Sequence, residues 1–219
     1  MAHNQSDLAY SHLRAKIARR ELPSGAKVRY GPLGKEIGMS ATPIREAIGR
    51  LAIEGLVELV PQVGAIVKTP TREDALEVFE MREAIEPFAA SKACELISVA
   101  QLRELEANIE TMSRIARRKR LSRSGMDEFD QADLRFHLTI LEAAANERML
   151  KAVSDYHLLS SIIGTDRHSY SADILELTIE DHELIYTHLN QRSAAEVREA
   201  MLSHIRNSRQ ITLTLFKRL

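Results

Sequence analysis

The sequence predicts a mainly α-helical fold in two parts: an N-terminal module of short helices closed by a β-hairpin, then a C-terminal antiparallel all-helical bundle. Three observations lead there. Apolar residues recur at three- and four-residue spacing through most of the chain, as in Val78, Met81, Ile85 and Leu102, Leu105, Ile109 and Leu134, Leu138, Leu141. Two short β-branched runs, Leu56-Val-Glu-Leu-Val60 and Ala65-Ile-Val67, lie close together, and no comparable run follows residue 70. Thr69-Pro70 breaks the pattern and sets the expected domains at 1–70 and 71–219.

Composition narrows the class. At 219 residues the chain can bury one large or two small cores. Its 44% apolar content and 30 Lys+Arg against 31 Asp+Glu argue against wholesale disorder. No apolar run approaches the roughly 18–20 residues a membrane span needs, and the polar start MAHNQSDLAYSHLRAKIARR lacks the apolar core of a secretory signal. The single Cys94 excludes an intrachain disulfide and a multi-cysteine zinc site. A cytoplasmic protein with no membrane partner is expected. Charge is uneven: residues 1–70 hold 10 Lys+Arg and 6 Asp+Glu, residues 71–219 hold 20 and 25. A basic module on an acidic remainder suggests a small nucleic-acid-binding unit joined to a second function.

Taken in order, Ala9, Leu13 and Ile17 mark a helix over 7–20, stopped by Glu21-Leu-Pro-Ser-Gly25. A short helix begins around Pro32, carries Leu33 and Ile37, and closes at Gly38. Ser40 is the expected N-cap of a third helix bearing Ile44, Ile48, Leu51 and Ala52, which Gly55 ends. Ile37, Met39, Ile44, Ile48 and Leu51 are the expected small core. The hairpin turns at Pro61-Gln-Val-Gly64. In the second part, Thr71 with Asp74, Ser98 with Gln101, Asp127, and Ser193 with Glu196 are the expected helix starts. The basic run Arg114–Arg123 reads as a cationic helix end beside a loop, and Cys94 as a core residue.

Two helices separated by Gly38-Met-Ser40 and followed by a hairpin form the pattern of a winged helix-turn-helix. Its second helix would present a polar N-terminal end to the DNA major groove. The expected DNA-facing residues are Ser40, Thr42, Arg45 and Arg50 on that helix, with Gln62 and Gly64 at the hairpin tip along the minor groove. Arg45 could instead be a solvated helix arginine paired with Glu46 or another neighbour.

The second part carries a possible metal set. Asp133 and His137 are four residues apart and share a helix face. His182 and His204 lie 22 apart, symmetric about a break at Asn190-Gln-Arg-Ser193, so an antiparallel hairpin would place them level. One carboxylate and three imidazoles suit Zn²⁺ first, with Ni²⁺, Mn²⁺ or Fe²⁺ as alternatives. Eight histidines make chance combinations easy to find, and surface or hydrogen-bonded core histidines are the alternative. His3, His12, His157, His168 and His188 belong to that plainer class. No phosphate-binding glycine loop, nucleophile elbow or HExxH motif occurs, so an enzyme is not expected.

The segment PSGAKVRYGPLGKEIGMSATPIREAIGRLAIEGLVELVPQVGAIV resembles the DNA-binding domain of the GntR family of bacterial transcription regulators. The matches include Pro23, Gly25, Leu33, Ile37-Gly38, Ser40, Thr42-Pro43-Ile44-Arg45-Glu46-Ala47, Leu51, Glu54-Gly55-Leu56-Val57 and Gly64. Ala41 stands where the family usually has Arg, Tyr30-Gly31-Pro32 replaces a charged stretch, and the wing offers Gln62 and Val63 instead of its frequent Arg. Fewer cationic contacts imply weaker phosphate binding and an altered base preference. Residues 71–219 resemble the FCD ligand-binding domain of the FadR subgroup, on Met81-Arg82-Glu83-Ala-Ile-Glu86, Asp133-Leu-Arg-Phe-His137, Asn146, Leu150, Asp181-His182 and Met201-Leu-Ser-His204. That resemblance implies a metal on Asp133, His137, His182 and His204 and a small organic acid effector beside it. It also implies Arg82 as an anion contact, with a structural ion pair to Glu86 as the alternative. The expected whole is a transcription regulator that binds a palindromic double-stranded DNA operator as a homodimer. Competing readings are a metal-dependent enzyme built on the Asp/His3 set and a regulator whose metal is purely structural.

Overall fold

In the computed structural model, which describes residues 5–19, 21–118, 120–154 and 171–216, the first apolar stripe becomes helix α1 (Gln5–Ala18), with Ala9, Leu13 and Ile17 buried. His3, His157 and His168 lie outside the described residues. After a two-residue strand β1 (Lys27–Val28) come α2 (Tyr30–Ile37) and α3 (Ala41–Ile53). Pro32 sits in the first turn of α2, where its missing N–H costs no helix bond. Gly38 ends α2 at φ +67°, and the N–H groups of Gly38 and Met39 both reach the Gly34 carbonyl. Gly34 is required by proximity rather than by φ: a Cβ there would stand 2.8 Å from the Met39 carbonyl oxygen.

Helix α3 buries Ile44, Ala47, Ile48 and Leu51 at helical spacing and packs on α1. Ile37 and Met39, expected in this core, are only half-buried, while Leu33 is buried. Strands β2 (Val57–Val60) and β3 (Gly64–Val67) pair antiparallel with Val57 opposite Val67 and Val60 opposite Gly64. The sheet order is β1-β3-β2, with Lys27 opposite Ile66. Sequence reading missed β1, because two residues are too few for alternation to show.

The described residues separate into two units that meet in sequence at Thr71 and Arg72. The second unit is helical: α4 (Arg72–Leu96), α5 (Val99–Ala116), α6 (Arg123–Ala143), a helical stretch over 147–154 (α7), α8 (Ala172–Asn190) and α9 (Ala194–Leu215). Helix α4 packs on α9, α5 on α6 and α8, and α8 on α9. Leu105, Met112, Ile115, Phe136, Ile140, Ile185 and Ile205 are among the fully buried side chains between them, and Cys94 is buried with them.

Helix starts follow the capping rules unevenly. Ser98 and Gln101 form the expected reciprocal capping box. Helix α6 begins earlier than expected: Ser122, not Asp127, is its cap, accepting from the Gly125 N–H at 3.1 Å. Ser40 and Ser193 occupy N-cap positions, but neither side chain makes the cap bond. The basic run does lie at the end of α5, where Arg114 and Arg118 face Glu128. Arg192 at φ +58° donates to the Cys94 and Ile97 carbonyls and so closes the exposed end of α4. No helix among the described residues is long and apolar enough to cross a membrane.

Candidate metal centre and nucleic-acid interface

Three helices of the second unit converge on one point. Helix α6 supplies Asp133 and His137 one turn apart, α8 supplies His182, and α9 supplies His204. The two helices flanking the Gln191–Ser193 turn bring the His182 and His204 rings to 4.5 Å between centroids, while His137 and His204 stack at 5.1 Å. One ligand atom from each of Asp133, His137, His182 and His204 falls within 4.8 Å of all the others. His137 Nε2 lies 3.2 Å from His204 Nε2, and His182 Nε2 lies 3.3 Å from Asp133 Oδ1. These two separations match the edge of a coordination polyhedron with bonds of about 2.0–2.1 Å.

The outer nitrogens explain why the inner ones converge. His182 Nδ1 donates to the Thr178 carbonyl at 2.6 Å, and His204 Nδ1 faces Asp181 Oδ2 at 3.4 Å. His137 Nδ1 lies 2.6 Å from Glu86 Oε2 on α4. A carbonyl and two carboxylates can only accept, so the network assigns the proton to each Nδ1 and leaves lone pairs on the three Nε2 atoms. Two of those lone pairs face each other, and the buried His182 Nε2 takes no hydrogen bond among the described residues. Three imidazole lone pairs and a carboxylate oxygen with no donor among them fit a divalent cation.

Electrostatics favours the same state. The three rings are at most 2% exposed. Burial is the largest influence on His137 and lowers its pKa, against the pull of the Glu86 carboxylate. Burial, then the adjacent His182, lowers His204 to about 4, against Asp181. Neutral imidazoles at neutral pH are the form that binds metal. For Asp181, burial is the largest influence and pushes the pKa up; hydrogen bonds from His204 and Asn207 outweigh it and hold the carboxyl below its ordinary value.

Arg82 is also buried here, its Nε donating to Glu86 Oε1 at 2.6 Å. Neither Glu86 nor Asp181 is among the expected site residues, although Asp181 directly precedes His182 and Glu86 lies one helical turn after Arg82. Thr178 acts through its backbone carbonyl, which no side-chain pattern could reveal. Of the plainer histidines, His12 Nε2 lies 3.1 Å from Glu36, which links α1 to α2.

In the first unit, Ser40, Thr42 and Arg45 are exposed around the start of α3, and Arg45 has no ion pair among the described residues. The helix N-terminus beside them offers free N–H groups to a phosphate. Gln62 is exposed at the hairpin tip with φ +63°, and Gly64 follows at φ +104°. Arg50 is placed differently from the other five. It lies near the far end of α3, its Nη1 is 2.6 Å from Asp7, and its guanidinium sits 4.0 Å over the Tyr10 ring on α1.

Comparison with known proteins agrees with both halves. The family model for "Bacterial regulatory proteins, gntR family" matches residues 5–67, and that for the FCD domain matches residues 77–207. A probable D-xylose utilization operon transcriptional repressor of Paenarthrobacter nicotinovorans is 30% identical, covering 87% of this chain and 80% of its own. The transcriptional regulator LutR of Bacillus subtilis is 26% identical over 92% of this chain and 98% of its own. The solved structure of E. coli McbR/YncC superposes with a TM-score of 0.83 at 18% identity, covering 98% of this chain and 99% of that one, and supports the fold. These relatives are regulators, not enzymes. The chain belongs to the GntR family, as a DNA-binding transcription regulator with a helical FCD domain after its winged helix-turn-helix.

Proposed function

We propose that this regulator binds a palindromic operator as a homodimer in the cytoplasm, and that a small organic acid held beside a divalent metal in the FCD domain changes its DNA affinity. The observation that carries the reading is the convergence of Asp133, His137, His182 and His204 within 4.8 Å. Asp133 and Asp181 bring two carboxylates, whereas Arg82 and Glu86 neutralise each other. A divalent ion, Zn²⁺ before Ni²⁺, Mn²⁺ or Fe²⁺, balances those two charges and supplies a Lewis-acid anchor for a carboxylate. Arg82 is the proposed second anion contact. Ser40, Thr42 and Arg45 read the major groove, with Gln62 and Gly64 near the minor groove.

Each chain offers one recognition helix, so a two-fold dimer is needed to cover two half-sites about 34 Å apart. The acid regulates only if it prefers one arrangement of the dimer over another. A purely structural metal is the second reading, favoured by the burial of all three histidines. Thermal-shift melts with chelator, with Zn²⁺, and with Zn²⁺ plus a panel of small organic acids separate the two. Further stabilisation by one acid supports the sensor; stabilisation by metal and by no acid supports the structural role.

A further inference from the structure

Glu86 is the buried group at the site whose two oxygens serve two different partners. Its Oε2 lies 2.6 Å from His137 Nδ1, and its Oε1 accepts from Arg82 Nε at 2.6 Å. The side chain is 2% exposed. A carboxylate that deep is costly unless it is paired. Arg82, one turn earlier on α4, supplies the pairing charge and fixes where the carboxylate points. Asp181 is the nearest equivalent on His204, but it is 16% exposed, lies 3.4 Å away and also accepts from Asn207. Thr178 holds His182 through its backbone alone. Glu86 is therefore the charged, side-chain-encoded restraint on His137, and it comes from a helix that carries none of the four ligand atoms.

We propose that Glu86 is a positioning residue for the metal centre. It keeps the His137 proton on Nδ1 and aims the Nε2 lone pair at the point shared with Asp133, His182 and His204, while Arg82 holds Glu86 in place. This rests on the metal reading given above. It makes α4 part of the centre without contributing a ligand. Removing the negative charge lets His137 turn or change tautomer and makes its imidazole a weaker donor.

The test uses the full-length protein and Co²⁺, whose visible absorption reports coordination, in wild type, Glu86→Gln and Glu83→Gln. Glu83 lies one turn from Glu86 and pairs with Arg206 and Arg209 on α9, so it controls for loss of a helix-tethering carboxylate. Glu86→Gln is expected to weaken Co²⁺ binding on the order of 10–100-fold and to alter the spectrum, with Glu83→Gln matching wild type. Wild-type affinity and spectrum in Glu86→Gln overturn the proposal, and so does equal weakening in both variants. Wild-type protein that takes up no Co²⁺ overturns the metal reading and the positioning role together. Should Glu86→Gln not fold, imidazole 15N spectra of the metal-free wild type decide: a proton on His137 Nδ1 supports the role, and a proton on Nε2 refutes it.

Discussion

Acidifying the metal-free protein should loosen the C-terminal bundle well before ordinary carboxylates titrate. His204 falls from 6.5 to about 4 on folding, chiefly through burial and the neighbouring His182. Between those values the unfolded chain binds a proton that the folded chain refuses. Stability is therefore full above 6.5 and declines as pH falls through that value toward 4. At about 1.36 kcal/mol per unit, His204 alone loses on the order of 3 kcal/mol by the lower end. His137 is lowered in the same direction and adds to the loss. A domain of this size shifts roughly 2–4 °C per kcal/mol, so the melting temperature should drop by roughly 6–12 °C. The depressed carboxyls Asp181 and Glu128 begin to lose their contributions only near their ordinary values of 3.8 and 4.5, which leaves the upper part of the window to the histidines. The assay is a series of melts in chelator from about pH 7.5 to 4.5, for wild type and His204→Gln. A wild-type melting temperature that stays flat across that range would refute the buried, neutral state of these rings.

Three further outcomes follow from named contacts. Arg45→Ala should weaken binding to a selected duplex roughly tenfold or more at fixed salt, with melting unchanged, because in the proposed docking the exposed Arg45 would supply about one phosphate or base contact; an unchanged anisotropy titration would remove it from the interface. Gly34→Ala should lower the stability of the N-terminal module by about 1–3 kcal/mol, since the new Cβ would meet the Met39 carbonyl at 2.8 Å. Helix propensity alone gives the opposite sign, a gain of about 1 kcal/mol, so the direction of the melting shift decides. His204→Ala should lose most bound Zn²⁺ by elemental analysis after gel filtration, since it removes one of the four converging ligand atoms; metal equal to wild type would exclude His204 from the site.

The parts of this molecule that were legible in its sequence are those governed by periodicity. Four-residue spacing placed Asp133 above His137, and the symmetry of His182 and His204 about residue 193 anticipated the contact of their rings at 4.5 Å. The buried stripe Ile44, Ile48, Leu51 was visible for the same reason. What escaped depends on chain segments meeting at a distance. Glu86 gives no local sign that it faces His137, 51 positions later, and Arg50 gives none that it will be drawn to Asp7 and Tyr10. Strand β1 exists only because β3 is beside it. Ser122 caps α6 through its hydroxyl, but Arg123 and Ser124 interrupt the apolar pattern after it, so the sequence signal for the helix start falls later, at Asp127.

The link between the buried centre and DNA is tested by fluorescence anisotropy of a duplex selected from a random pool, titrated with full-length wild type and His204→Ala. Each protein is measured after Zn²⁺ loading, with and without the organic acid that stabilises the wild type most. For wild type, the acid should change the DNA dissociation constant about tenfold or more, a coupling of about 1.4 kcal/mol, within the usual range for such linkage. His204→Ala should bind the same duplex with no response to the acid. A wild-type affinity that is indifferent to metal and acid alike, in protein that binds both, would contradict a sensory role for Asp133, His137, His182 and His204.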